Sequence, residues 1–434
     1  MKSILKDFLK YSSLNMLGMI GISCYILADT LFIAQGIGAN GLAALNLALP
    51  VYSVVHGTGL MLGMGGGTKY SIYRSGQKET DCNRVFSQTV LLGLCFALLF
   101  VAYALFFSGA TASLLGADKT TFEMTRVYLK VTLLFAPAFI LNQIMLVFIR
   151  NDGSPKLCSL AMLAGSIANT ILDYIFIFPF KMGIFGAVLA TGFSPIFSLL
   201  ILSFHFLRKK NKFKFTIVKP SARLNLNILS LGFSSFINEI SSGVVIIVFN
   251  TLMLSLAGNI GVAAYGVITN IALVVIAMFT GLSQGAQPIL SRNFGLNNIK
   301  NIKLTLKYAV ISVTVLSGII YTFLNTFKEP ITFIFNSEGD LQLQTLAEEG
   351  ILLYFTACLF VGINILLTVY FSATENATPA GIISFLRGFL VIIPVSILMA
   401  KLFGVRGLWL SFPVSEFIVF VVGFIMVKLN KKIK

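Results

Sequence analysis

The sequence predicts an all-α, polytopic membrane protein with twelve transmembrane helices in two pseudo-symmetric six-helix bundles. Three observations predict this fold: the composition, the number of long apolar segments, and an internal repeat. Of the 434 residues, 57% are apolar and only 11% are charged, and the mean hydropathy is +0.91. A soluble domain has far more charge. The net charge of +16 lies in short clusters between apolar runs, which is typical of membrane proteins and argues against nucleic-acid binding.

An α-helix needs about 20 consecutive, mostly apolar residues to cross the hydrocarbon core of a bilayer. Gly, Pro, Asn and charged residues divide the chain into twelve segments of about that length. The predicted spans are 11–34, 45–72, 86–110, 128–150, 156–178, 184–207, 231–257, 261–290, 306–327, 350–374, 379–400 and 404–428.

The distribution of basic residues predicts the orientation of the spans. Most of the 32 Lys and Arg residues fall in the termini and the even-numbered loops, so the positive-inside rule places both termini in the cytoplasm. The most basic connection, 208–224, predicts a cytoplasmic linker between an N-lobe, 1–207, and a C-lobe, 225–434. We therefore expect a multi-pass protein of the cell inner (cytoplasmic) membrane, surrounded by lipid.

A weak internal repeat supports the division into halves. The segment that begins at Gly38 aligns with the one that begins at Gly258, and the segment at Gly183 aligns with the one at Gly404. Both pairs follow the first and the fifth predicted helix of each half. Six helices per repeat leave the halves in the same membrane orientation, and rocking of such halves exposes a central cavity to each side in turn.

Charged residues within the spans are candidates for function. A carboxylate at a helix centre costs about 2.5–3.5 kcal/mol, so it persists mainly where it faces a cavity or a partner. Four acids meet this description, Asp29, Asp173, Glu239 and Glu416, together with one cation, Arg387. For Glu416 and Arg387 a structural ion pair is favoured over a functional role.

The acids of the first half predict a cation site. Asn169 precedes Asp173 by four residues, so both side chains share one helix face, and Asp29 and Thr191 fall at a similar depth. Two close carboxylates in a low dielectric must hold a proton or a cation. The alternative is that Asp29 and Asp173 only cap loops or meet interfacial water. Glu239 is a candidate for binding a cationic substrate or relaying protons.

Other motifs do not point to chemistry. The glycine-rich segment 63–69 lacks the spacing of a phosphate-binding loop, and His56 and His205 have no metal-ligand spacing around them. The five cysteines form no pair or regular series. No hydrolase motif is present. We expect neither an enzyme nor a bound cofactor, and no metal beyond a possible Na⁺ at the cation site.

Several segments resemble the MATE family, the multidrug and toxic compound extrusion transporters. They are ADTLFI at 28–33, GLAA at 41–44, NDGSP at 151–155, NTILD at 169–173 and GIFGA at 183–187. Span count and lobe division agree over the whole chain. The resemblance implies twelve helices and export of cationic drugs or dyes in exchange for H⁺ or Na⁺.

The resemblance also implies roles for individual residues. It assigns Asp29, Asn169, Asp173 and Thr191 to the coupling-cation site, and Glu239 to the acid that many members carry on the seventh helix. The tenth helix lacks the acid of some members and offers only Asn364, which favours a site in the first half.

Two alternatives stay open besides a cation-coupled exporter that acts as a monomer. A lipid-linked oligosaccharide flippase of related architecture would need several basic residues in its cavity, and Arg387 is the one intramembrane candidate. An ion channel would need a pore-lining polar repeat, which the sequence lacks.

Overall fold

A computed structural model describes residues 2–336 and 339–430, and within these ranges the ordered elements are helices. Nine of the described helices are long and apolar enough to cross a membrane, and one bent helix pair adds a tenth span. Two of the nine contain an internal break and consist of two spans each. The described part of the chain therefore forms twelve spans, as predicted.

Each break has a local cause. The fourth span bends by 47° between Phe122–Leu134 and Ala136–Asn151, because Pro137 has no N–H to bond the preceding turn. The two long helices, Ala222–Gly295 and 377–429, break at Gly258 and Gly404, whose φ angles are 62° and 61°. Only glycine adopts this left-handed region without strain.

Each predicted span overlaps one observed span, and most observed helices extend beyond the predicted limits. A short helix, Lys328–Phe335, lies between the ninth and tenth spans. In order, the twelve spans are Lys2–Gly36, Ala39–Ser75, Glu79–Leu114, Phe122–Leu134 with Ala136–Asn151, Pro155–Ile177, Gly183–Leu207, 222–257, 259–295, Ile299–Thr326, Leu341–Ala373, 377–403 and 405–429.

The internal repeat marks four turns. Gly38 and Gly183 of the first half have φ angles of 87° and 59°, and their counterparts Gly258 and Gly404 have 62° and 61°. In each half, one of these glycines lies between the first and second spans and the other lies between the fifth and sixth spans. The backbone of these turns therefore favours glycine at all four positions. The two halves form pseudo-symmetric six-helix bundles.

The two bundles contact each other through the first and second spans on one side and the seventh and eighth on the other. Ser12 Oγ donates to the carbonyl of Leu282 (3.1 Å), and Asn15 Nδ2 donates to that of Gly281 (2.9 Å). These contacts lie toward the same face of the helical bundles as the linker. We call this face the linker side.

Two glycines make the closest approach between the bundles. A Cβ on Gly65 of the second span would overlap the carbonyl oxygen of Ile228, and one on Gly232 of the seventh span would overlap the carbonyl of Met61. The two backbones therefore cross with no room for a side chain. Near this crossing, Gln287 Nε2 of the eighth span donates to Thr68 Oγ1 (3.1 Å).

The connection between the bundles spans 208–221, since the seventh span begins at Ala222. It ends three residues before the predicted limit of 224. Phe213 is fully buried against Phe86 and Phe148. Asp152 Oδ2 accepts from the Lys212 backbone N–H and from His205 Nε2, both at 2.8 Å. The first half of the linker is thus packed on the N-terminal bundle.

Candidate functional site

The acids of the first and fifth spans meet inside the N-terminal bundle. The carboxyl groups of Asp29 and Asp173 lie within hydrogen-bonding contact of each other. Asp29 is 6% exposed and Asp173 is fully buried. In the described part of the chain, no protein group donates a hydrogen bond to Asp29 Oδ1 or Asp173 Oδ1.

The remaining predicted residues complete this cluster. With its amide oriented to satisfy both neighbours, the Asn169 side chain donates to Asp173 Oδ2 (3.0 Å) and accepts from the Thr191 backbone N–H (3.2 Å). The Thr191 hydroxyl contacts the hydroxyl of Tyr128 from the fourth span and donates to the Ala187 carbonyl (3.2 Å). Four spans therefore contribute to the cluster, and no sequence pattern pointed to Tyr128.

The chemistry of the cluster follows from its donors and acceptors. An ionised carboxylate only accepts hydrogen bonds, so two carboxyl groups bond to each other only if a proton lies between them. If the proton leaves, two negative charges face each other in a buried place, and a small cation coordinated by oxygen is the other way to neutralise them. The cluster can therefore exchange a proton or an alkali cation.

Glu239 lies outside this cluster, at the contact between the bundles. Its Oε1 lies 3.0 Å from His56 Nδ1 of the second span, and His56 Nε2 lies 2.6 Å from Gln143 Nε2 of the fourth span. Tyr52 stacks on the imidazole at 5.6 Å between ring centroids, and the Tyr52 hydroxyl lies 3.5 Å from that of Tyr25. The structure thus places Glu239 in a second polar cluster.

Comparison with known proteins identifies the family to which the chain belongs. The family model MatE matches residues 15–175 and 233–398, one segment in each bundle. The matched segments contain Asp29, Asn169, Asp173 and Glu239, and Thr191 lies between them. The chain belongs to the MATE family. Members of this family are transporters, and this confirms the prediction that the protein is not an enzyme.

Curated relatives of this MATE protein cover nearly its whole length. It is similar to the multidrug export protein MepA of Staphylococcus saprophyticus, with 30% identity over 95% of this chain and 91% of the relative. The MepA protein of Staphylococcus haemolyticus is 29% identical over 99% of this chain and 95% of the relative.

Solved structures share the fold of this MATE protein. A crystal structure of a MATE protein in complex with MaL6 has a TM-score of 0.92, at 21% identity over 98% of this chain and 95% of that one. An outward-facing multidrug resistance transporter of the MATE family has a TM-score of 0.91, with the same identity and coverage.

The C-terminal bundle of this MATE protein contains a different charged cluster. Arg387 Nε donates to Glu416 Oε1 (2.5 Å), and Asn364 Nδ2 donates to Glu416 Oε2 (2.7 Å). Arg387 lies in a one-turn π-helical segment, Leu386–Leu390, and Glu416 is buried. Both carboxylate oxygens already have a partner, so this acid is neutralised by the protein itself.

This arrangement predicts the effect of removing the cation. Arg387→Met leaves the Glu416 carboxylate buried and unpaired, so we expect the free energy of unfolding to fall by about 3–5 kcal/mol. A lower Tm of the purified protein in detergent would measure it. The double variant Arg387→Met, Glu416→Gln should regain most of the free energy of unfolding that Arg387→Met loses.

A matched control is available in the same bundle. Arg406 pairs with Glu349 but its side chain is 77% exposed, so Arg406→Met should cost less than about 1 kcal/mol. A Tm for Arg387→Met as high as that of Arg406→Met would contradict a structural role for the buried pair.

Proposed function

We propose that this MATE protein is a secondary active exporter that exchanges cationic, lipophilic organic compounds for H⁺ or Na⁺. The observation that carries the proposal is the buried contact between Asp29 and Asp173. Intramembrane acids are retained where they bind or relay ions. The names of the curated relatives, multidrug export proteins, support the same substrate class.

The contact between the two carboxyl groups favours a proton as the coupling ion. A hydrogen bond between two acids contains a proton, and its loss creates an unfavourable pair of charges. Asn169 and Thr191 fix the position of Asp173, so the charge change acts on an ordered site. A sodium ion coordinated by the carboxylate oxygens is the alternative that the experiment below separates.

We propose that Glu239 receives the positive charge of the substrate. Its side chain is 29% exposed, in contrast to the buried acids of the N-terminal bundle. The ring of Tyr52 stacks on His56, the partner of Glu239, and the ring of Phe139 packs edge-on against Tyr52 at 5.5 Å between centroids. Such rings provide faces that attract cations.

Export then requires the two bundles to change their contact. In the described residues, the bundles touch at the linker side through hydrogen bonds and a glycine crossing. We propose that they act as lobes that open there and close at the opposite side, as monomers in the cytoplasmic membrane. This motion is alternating access by rocking.

The proposed exchange is tested in proteoliposomes with the purified protein. We expect tetraphenylphosphonium, a lipophilic monocation, to move uphill when a pH gradient is imposed with no sodium present. Uphill movement only with a sodium gradient would assign the site to Na⁺. Transport with neither gradient above empty liposomes would contradict the proposed function.

The orientation of the linker gives a further prediction. Because 208–221 contains six Lys and Arg residues, its translocation is unfavourable, and we expect it in the cytoplasm. A cysteine placed at Ser221 should react with an impermeant maleimide only after the cells are opened. A cysteine at Asp118, in the loop between the third and fourth spans, should react in intact cells. The reverse pattern would contradict the orientation.

A further inference from the structure

The pair His56 and Glu239 joins the two bundles through a titratable contact. His56 belongs to the second span and Glu239 to the seventh, and His56 Nδ1 lies 3.0 Å from Glu239 Oε1. The Cβ of Glu239 would lie 3.2 Å from a Cβ on the adjacent Gly57. The acid is thus held against the opposite bundle by both a polar contact and close packing.

The hydrogen-bond partners define the protonation state of the imidazole. A carboxylate only accepts, so Nδ1 donates to Glu239. The Gln143 amide nitrogen only donates, so Nε2, at 2.6 Å, accepts. His56 is therefore neutral in this orientation of the Gln143 amide, and the opposite orientation of the amide suits the protonated imidazole. A second proton on Nε2 requires Gln143 to rotate its amide and present its oxygen, which needs no movement of the backbone.

Three spans contribute the groups around His56 and Glu239. The fourth span contributes the amide of Gln143, the second span contributes the ring of Tyr52, and the first span contributes the Tyr25 hydroxyl through Tyr52. Tyr52 and Tyr25 are uncharged near neutral pH. Among these described groups, Glu239 is the one acidic side chain in contact with the imidazole.

Both side chains are partly exposed at the contact between the bundles. His56 is 16% exposed and Glu239 is 29% exposed at the side chain. The glycine crossing at Gly65 lies nine residues further along the second span, about 13 Å toward the linker side. The pair thus lies about 13 Å from the crossing, on the side away from the linker, and part of its carboxylate is exposed.

One carboxylate in this position can be neutralised by one cation at a time. Imidazole gains and loses its proton near physiological pH, so an imidazolium at His56 and a bound organic cation are alternative partners of Glu239. We propose that His56 is a proton-dependent competitor for Glu239, and that binding of a lipophilic monocation expels one proton from His56. This inference rests on the proposed substrate class.

The exchange balances in charge and in protons. Before binding, protonated His56 and ionised Glu239 form an ion pair; afterwards the organic cation pairs with Glu239, His56 is neutral, and one proton is released to the solution. Affinity for the cation must then rise with pH. Tyr25, whose hydroxyl contacts that of Tyr52, precedes Asp29 by one helical turn, so this exchange lies next to the Asp29–Asp173 cluster.

The test measures tetraphenylphosphonium binding to the purified protein in detergent at pH 6 and pH 8. For the unmodified protein we expect affinity at least about fivefold higher at pH 8, with release of up to one proton per bound cation in weakly buffered solution. His56→Gln keeps a donor for Glu239 and an acceptor for Gln143 but has no charge. It should bind tightly at both pH values, with less than a twofold difference.

For a second variant we expect the opposite effect on the affinity for tetraphenylphosphonium. His56→Lys places a fixed cation beside Glu239, so it should bind weakly at both pH values. Since the chain contains two histidines, His205→Gln is the matched control, and its pH dependence should equal that of the unmodified protein. If one of the two His56 variants does not fold, the other still tests whether His56 causes the pH dependence of binding.

The outcomes separate this inference from the proposed function. A pH dependence that persists in His56→Gln but disappears in Asp173→Asn would overturn the role of His56 and leave the exporter intact. Absence of binding and of gradient-driven transport in the unmodified protein would overturn the proposed function itself.

Discussion

Asp173→Asn should lower gradient-driven export of a lipophilic monocation to below about a tenth of the unmodified rate, because the change removes a titratable group from the pair with Asp29. The asparagine side chain has nearly the same size and hydrogen-bonding capacity as the aspartate that it replaces. Neutralising a buried acid also lowers its desolvation cost, so the protein should still insert and fold. The measurement is uphill transport in proteoliposomes at equal protein content.

The same chemical change at a position away from the cluster is the control. Asp81 lies in the first turn of the third span at the linker side, and Asp81→Asn should export at the unmodified rate. Full gradient-driven export by Asp173→Asn would show that this carboxylate is structural and would move the coupling site elsewhere, with Glu239 the next candidate.

Gly65→Ala should disturb the contact between the bundles without unfolding either one. The added methyl group would overlap the Ile228 carbonyl, and overpacking of this kind costs about 1–3 kcal/mol. If this energy destabilises only the conformation that is closed at the linker side, the ratio of closed to open protein changes by about 5–150-fold. We expect export to fall about tenfold or more.

Distance measurements can separate this effect from simple destabilisation. Spin labels at Lys78 and Lys300, exposed at the linker side of the two bundles, should move apart in Gly65→Ala, after the exposed Cys24 and Cys95 are replaced. Gly243→Ala is the matched control, because a Cβ there meets no atom within 4 Å. An unchanged distance distribution together with unchanged export would refute the gating role of the crossing.

The span count and the turns could be predicted from sequence because both follow local rules. Apolar length defines a span, and a positive φ at Gly258 or Gly404 demands glycine whatever the surroundings. The Asp29 cluster could also be predicted from the sequence. A four-residue spacing places Asn169 and Asp173 on one helix face, and the depth of each residue in the membrane follows from the rise per residue.

Contacts between distant spans could not be predicted in the same way. Tyr128 resembles any other tyrosine of an apolar helix, and nothing near His56 in the sequence indicates that Glu239, far along the chain, is its partner. Such pairs depend on how the helices rotate and cross, which the hydrophobic pattern of nearly all-apolar spans does not specify. Gln143 was missed for the same reason.

The packed linker has a mechanical consequence for the motion of the two halves. Its last bond to the N-terminal bundle is made by the Thr216 backbone N–H, which donates to Ser87 Oγ (2.8 Å), and the next helix begins at Ala222. Five residues remain as tether, with a reach of about 17 Å when fully extended. The short covalent connection therefore limits how far the two bundles can separate at the linker side. This limit does not depend on how far they move apart at the opposite side.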